Sequence, residues 1–341
     1  MSKFIVGADI SKDKINYALY FNGNVLLERE IENNIKAITK FLSEIKAFIK
    51  HYNKQHQLDG TLIFVMEYTG IYNNILVSCL QNKNITMYIV PGIVIKHSSG
   101  IIRGKSDKID AQRIADYAFR HFDKMHEFKP NSATISTLKS LSSQREKLIK
   151  VRTQLTQSKV DNKKFMDDKT YKLIDASMVK VVEQLDVSIK DLDNQMLELV
   201  RKDDDVNENF KNAVSVPGIG KTTAIALICV TDNFVKFSSA KSLGTYCGVV
   251  PHSKGSGILK GKDRVSPMCN KRMKTLLHMC ALSSISRDNI FATYFEQKVT
   301  KDKKNKMLAL NNVRNKILKT VYACVKNKMP YQKDFIYNNA A

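Results

Sequence analysis

Short apolar runs at residues 3–10 (KFIVGADI) and 14–21 (KINYALYF) read as strands, and 24–31 (NVLLEREI) alternates apolar and polar positions as a third. The polar SKDK between the first two is a turn, so an antiparallel three-stranded meander is predicted. From about Ile35 to Tyr52 the period lengthens, with Ile38, Leu42, Ile45 and Ile49 on one stripe of a helix. TLIFVMEYTG then predicts a buried strand, Ile71–Gln81 a helix, ITMYIVP another strand and Asp107–Arg120 a helix.

Strands first, then helix and strand in alternation on a mixed sheet, is the ribonuclease-H-like pattern, an α/β fold. From Ser132 to about Lys202 the strand signals vanish. Leu141, Leu148 and Leu155 recur every seven residues. Met178, Val182, Leu185, Ile189, Leu192, Met196 and Leu199 alternate spacings of four and three, a heptad seam. The polar DNKKFMDDKT between them is the turn of a helical hairpin, which fits equally a pair packed on its own domain and a dimer stalk. After RKDDDVNEN the chain is helical with loops. The division expected is 1–128, 129–205 and 206–341, consistent with a length of 341 residues that calls for more than one core.

Charge changes the picture. Lys and Arg number 55 against 33 Asp and Glu, a formal net charge of +22. Such a surplus points to a polyanion, because each phosphate neutralised releases counterions; a lysine-rich proteome would produce the same surplus merely to solubilise a surface. Between Lys236 and Lys274 stand nine Lys or Arg and one acid, Asp263. They surround PHSKGSGILKGKDR, read as a glycine-rich loop whose amides can approach phosphates. No apolar run reaches the roughly 18 residues of a membrane span, and MSKFIVGADI enters a strand at once, against a signal peptide. The expected location is the cytoplasm, at the nucleoid. Six cysteines without CxxC pairs fit reduced thiols. Cys247, His252, Cys269, His278 and Cys280 match no common zinc spacing.

Candidate chemistry gathers on carboxylates. Asp9 and Glu67 each end an apolar strand, and Asp107 and Asp110 begin a later helix. The last two, three residues apart, share a helix face; alone they fit a helix N-terminus, where the macrodipole favours anions. Joined to Asp9 and Glu67 they fit a tetrad holding two Mg²⁺ (or Mn²⁺) roughly 3.5–4 Å apart. Asp13 falls in the solvated turn. VPGIGKTTA is no nucleotide-binding P-loop, because Ser215 stands where that motif needs its first glycine. It fits two helices joined by PGIG, with Lys221 and Thr222 at a helix N-terminus able to grip a phosphate. Ser256, between two glycines and among Lys254, Lys260, Lys262, Arg264, Lys271 and Arg272, fits either a nucleophile beside DNA or an ordinary flexible loop.

These blocks carry a resemblance. GADISKDK, MEYTGIY and GKSDKIDAQRIA, followed by VPGIGKTTAIAL, FSSAKSLGTYCGVVP and SGILKGKDRVSPMCNKRMKTLLHMCA, are similar nearly end to end to the transposases of insertion-sequence family one-ten. The eleven-eleven group and the pilin-inversion recombinase Piv share the likeness. The resemblance implies a RuvC-like domain with a DEDD tetrad on Asp9, Glu67, Asp107 and Asp110, a coiled coil, and a transposase domain whose catalytic serine is Ser256. It also implies donor and target DNA as substrates, a non-coding bridge RNA as guide, and a homodimer assembling to a tetramer, with one protomer's acidic domain meeting another's serine domain. Where many members read RxGN this chain reads SPMCN, with Cys269 in place of the glycine before Asn270. A RuvC-like junction endonuclease that ignores the serine is the alternative.

Overall fold

The computed structural model describes residues 2–98, 107–130, 132–256 and 259–333, with the backbone alone at 107–108, 254–256 and 259–262. The chain forms two compact units, residues 1–130 and 131–341.

In the first unit the predicted meander is present as β1 (Lys3–Ile10), β2 (Lys14–Phe21) and β3 (Asn24–Glu32). Strands β4 (Thr61–Glu67) and β5 (Thr86–Val90) add to it in parallel with β1, giving the order β3-β2-β1-β4-β5. This mixed five-stranded sheet is consistent with the ribonuclease-H-like expectation. Helix α1 (Ile35–His56) runs one turn beyond its predicted end. The helix expected over 71–81 is a 3-10 turn (Gly70–Asn73) followed by α2 (Asn74–Asn82). A short α3 (Gly92–Ser98) was not anticipated, and α4 (Asp107–Arg120) has the predicted bounds.

Because strand side chains alternate between faces, β1 serves two cores. Phe4, Val6, Ala8 and Ile10 pack with Ile38, Phe41, Leu42, Ile45 and Ile49 of α1. Ile5 lies on the opposite face, with Ile63, Val65, Tyr88 and Val90 from the neighbouring strands and Ile114, Ala115 and Ala118 from α4. Gly7, on that second face, is where strand and helix nearly touch: a Cβ built there would lie 2.3 Å from the Ala111 carbonyl oxygen and 2.6 Å from the Ala115 nitrogen. The two elements run antiparallel. The Lys3 ammonium sits 3.1 Å from the centroid of Phe122, just past the helix end, whereas Ala111 and Ala115 meet Gly7. Travelling back along α4 therefore travels forward along β1, toward Asp9.

In the second unit α5 (Ala133–Phe165) and α6 (Asp168–Lys202) form the predicted hairpin, turning at Met166 and Asp167. Arg145 pairs bidentately with Asp193, Arg152 with Asp186, and Lys159 with Asp175 at 2.8 Å. Numbers rise by seven on one helix as they fall on the other, so the pairing is antiparallel. The ends of both helices enter one core, through Ile135, Leu138, Met196 and Val200, with α7 (Asp204–Val214), α8 (Lys221–Thr231), α9 (Ala240–Tyr246), α10 (Lys271–Ile285), α11 (Ile290–Thr300) and α12 (Lys306–Lys326). Helix α8 is apolar on nearly every side and is the central element of that core. Among the described residues, no helix is long and apolar enough to cross a membrane.

The segment read as a glycine-rich loop is instead an antiparallel ribbon, β6 (Pro251–Ser256) and β7 (Leu259–Val265). Three glycines and a run of lysines conceal it, since glycine signals loops in sequence. A two-stranded ribbon tolerates such composition because its pairing is between backbones.

Substituting Gly7 by valine forces α4 off the sheet. Urea unfolding is expected to register a loss of about 1–3 kcal/mol, the range for overpacked cores. An unchanged unfolding midpoint would mean that helix and strand do not approach this closely.

Candidate functional site

Three of the four predicted carboxylates share one face at one end of the first unit's sheet. Asp9 follows Ile5 and Gly7 on the α4 side of β1, and Glu67 follows Ile63 and Val65 on the same side of β4. The parallel register aligns Ala8 with Met66, which brings Asp9 and Glu67 to the next rung. Asp110 directly precedes Ala111, the residue whose carbonyl faces Gly7, so the close packing of α4 carries it toward the same end. Asp107 opens α4 one turn earlier, and its side chain lies outside the described residues. Asp13 lies in the exposed turn.

Residues that the sequence did not flag hold this corner together. Asn33 donates through Nδ2 to the Ser11 carbonyl (2.9 Å) and the Tyr72 carbonyl (3.1 Å), tying the segment beyond Asp9 to the segment beyond Glu67. Asn73, buried, accepts from the Thr69 amide (2.7 Å) and donates to the Glu67 carbonyl (2.8 Å). Buried asparagine fully engaged in this way fixes a loop that has no repeating structure of its own. Arg113 places Nη1 2.6 Å from Asp110 Oδ1, offsetting the charge that crowded carboxylates accumulate. The Glu67 carboxylate rests over Gly92 at the start of α3, where a Cβ would come within 1.8 Å of Oε1.

Among the described residues, no three His, Cys, Asp or Glu side chains already converge on a common metal position. The donor chemistry nonetheless fits a hard divalent cation: these are oxygen ligands only, on one sheet end, with a bare glycine giving Glu67 its room. Asp9, Glu67 and Asp110, with Asp107, are the residues that would hold it.

In the second unit, Ser256 is the last residue of β6 and is paired with Leu259, Arg264 is exposed opposite His252, and the side chains of Lys254, Ser256, Lys260 and Lys262 lie outside the described residues. Lys271 is exposed at the start of α10. Arg272 is engaged: its guanidinium pairs with Glu146 and donates to Ser142 Oγ at 3.0 Å, both on α5. Lys221 is exposed at the first turn of α8, whose N-cap, Gly220, offers no side-chain acceptor. Gly218 of the PGIG turn needs to be glycine, with φ +90° and a Cβ position 2.5 Å from the Cys280 carbonyl oxygen.

The Cys269 departure has a physical counterpart. Gly248 (φ +67°) gives way to it, a Cβ there falling 2.5 Å from Cys269 Sγ. Helix α10 still begins normally, Asn270 Oδ1 accepting from the Met273 amide at 3.0 Å. Cys247 beside it is fully buried, and burial pushes its thiol up to about 12.

Gly92→Ala displaces the Glu67 carboxylate while leaving the sheet intact. Calorimetric Mn²⁺ titration is expected to show affinity down by about 10–100-fold, the usual cost of disturbing a ligand's support, with little change in melting temperature. Unaltered Mn²⁺ affinity would remove Glu67 from the metal set.

Two transposase families match the chain. One, described as "Transposase", covers residues 6–160; the other, "Transposase IS116/IS110/IS902 family", covers 211–296. The "Pilin gene-inverting protein" of Moraxella lacunata is 28% identical over 341 residues, 98% of this chain and 99% of that protein. Its counterpart in Moraxella bovis is 27% identical over the same shares. The "Insertion element IS900 uncharacterized 42 kDa protein" of Mycobacterium paratuberculosis is 26% identical over 157 residues, 46% of this chain and 38% of that protein. With both domains present in order, the chain belongs to the IS110 family of transposases, enzymes that act on DNA.

Proposed function

We propose that the chain is a DNA recombinase that cuts and exchanges strands through a serine-linked intermediate, using Asp9, Glu67, Asp107 and Asp110 with Mg²⁺ and Ser256 as nucleophile. The observation that supports the reading is the strand register that sets Asp9 and Glu67 side by side on the α4 face of the sheet, with the close Gly7–Ala111 contact directing Asp110 toward that end. It gains support from family membership and from the block resemblance that falls on Ser256.

A bound divalent cation would supply charge to polarise the scissile phosphate. The chain's own groups do the rest. The carboxylates would hold the cation, and the backbone beside Asp9 and Glu67, fastened by Asn33 and Asn73, limits the reorganisation needed during reaction. Ser256 Oγ bonds to phosphorus as the P–O3′ bond breaks, and its proton ends on the departing 3′ oxygen. A 3′-hydroxyl from another strand then attacks the phosphoserine and returns the proton to Oγ. One phosphoester replaces another in each step, so no external energy source is required. Hydrolysis would lose that bond.

In this reading the ribbon's Lys254, Lys260, Lys262 and Arg264, Lys271 in the first turn of α10, and the α8 N-terminus with Lys221 and Thr222 contact nucleic-acid backbone, whereas Arg272, expected among them, is held by Glu146 and Ser142. A bridge RNA encoded beside the gene selects donor and target DNA, and the hairpin at 129–205, as a coiled coil, joins protomers into dimers and tetramers.

The test is detergent-resistant protein–DNA adduct formation on labelled element-end DNA with Mg²⁺. Ser256→Ala is expected to abolish adducts and recombination, and Asp9→Asn to abolish cleavage. Cleavage that persists undiminished in Ser256→Ala would replace this reading with the RuvC-like endonuclease.

A further inference from the structure

Helices α10 and α12 enclose a cation that lacks a counter-charge. Arg314 on α12 is only 6% exposed, and its Nε is buried without a hydrogen-bond partner. Among the described residues no carboxylate lies close enough to sustain its charge, and burial alone pushes its pKa down. The residue retains only that 6% of its surface toward solvent. Facing it from α10 is His278, whose Nδ1 is also buried and unpartnered. Burial lowers the histidine's pKa, and the charge of Arg314 lowers it further. An anion supplying oxygen acceptors would satisfy both groups at once.

We propose that Arg314 and His278 form a binding site for a phosphodiester of a nucleic-acid strand. A guanidinium confined by burial, with its Nε–H lacking an acceptor among the described residues, is suited to bidentate contact with phosphate oxygens. Lys274 lies one helical turn before His278 on the same face of α10. Its Cδ is 3.5 Å from a Cβ built at Gly248, close to the foot of the ribbon that starts at Pro251. The site therefore stands at the root of the element bearing Ser256, and its assignment to nucleic acid rests on the recombinase reading above. Its role would be to hold the strand whose phosphate the ribbon approaches.

The test uses full-length wild type, Arg314→Met and Arg314→Lys. Melting is followed with inorganic phosphate, and affinity is measured for a DNA duplex and a structured RNA hairpin across a salt series. Phosphate is expected to raise the melting temperature of wild type but not of Arg314→Met. Binding of at least one polymer should weaken about tenfold in Arg314→Met, with the salt slope reduced by about one; Arg314→Lys, keeping charge without the fork, should fall between. Loss confined to DNA or to RNA identifies the strand. Unchanged binding of both polymers overturns the nucleic-acid assignment, and a phosphate response identical in all three proteins overturns the site itself, even where Arg314→Met melts lower. Should wild type bind neither polymer, the recombinase reading falls while the phosphate arm still decides the anion site.

Discussion

Helix α4 lies so close to strand β1 that a methyl group at position 7 would overlap the Ala111 carbonyl oxygen. That contact sets the depth and direction of the helix against the sheet, and with it the position of Asp110 relative to Asp9. The hydrophobic surroundings, Ile5, Val65, Ile114 and Ala118, hold the two elements together without specifying register. Glycine specifies it, because only a bare Cα admits this separation. A second glycine, Gly92, performs a similar service for Glu67. The acidic corner is thus assembled by missing side chains as much as by present ones.

Carboxylates on one sheet end are steadied locally. Arg113 sits against Asp110, while Asn33 and Asn73 fasten the segments that follow Asp9 and Glu67. The Asn73 and Arg113 bonds are partly buried, where polar contacts are stronger than in water, while those of Asn33 are exposed. Beyond the site, the +22 charge acts at longer range and attracts a polyanion without selecting its sequence. The hairpin's ion pairs work differently again: Arg145–Asp193, Arg152–Asp186 and Lys159–Asp175 fix an antiparallel register that the leucine seam alone would leave open.

Much of the first unit could be read in the chain. Meander strands, α1 and α4 follow from apolar period and turn chemistry, both local properties. Asp9 and Glu67 stand out in the chain because each closes an apolar strand, and Asp107 and Asp110 because they open a helix three residues apart. Gly7 carried a signal as well, a glycine inside a strand, which marks close backbone approach. Asn33, Asn73 and Arg113 carried none: a single polar residue in a loop or on a helix has no periodicity, and its partners lie distant in sequence. The ribbon at 251–265 was missed because glycine and lysine dominate its composition, although its register is set by backbone pairing. Nothing in the sequence around Arg314, on a helix with several other cations, signals its burial.

The proposed chemistry requires oxygen ligands from two strands and one helix to act together on a divalent cation. Anomalous diffraction from crystals grown with Mn²⁺ addresses it most directly. Scattering peaks bounded by Asp9, Glu67, Asp107 and Asp110 are predicted, disappearing in Asp9→Asn. Ordered side chains at all four positions with no anomalous peak among them would contradict it.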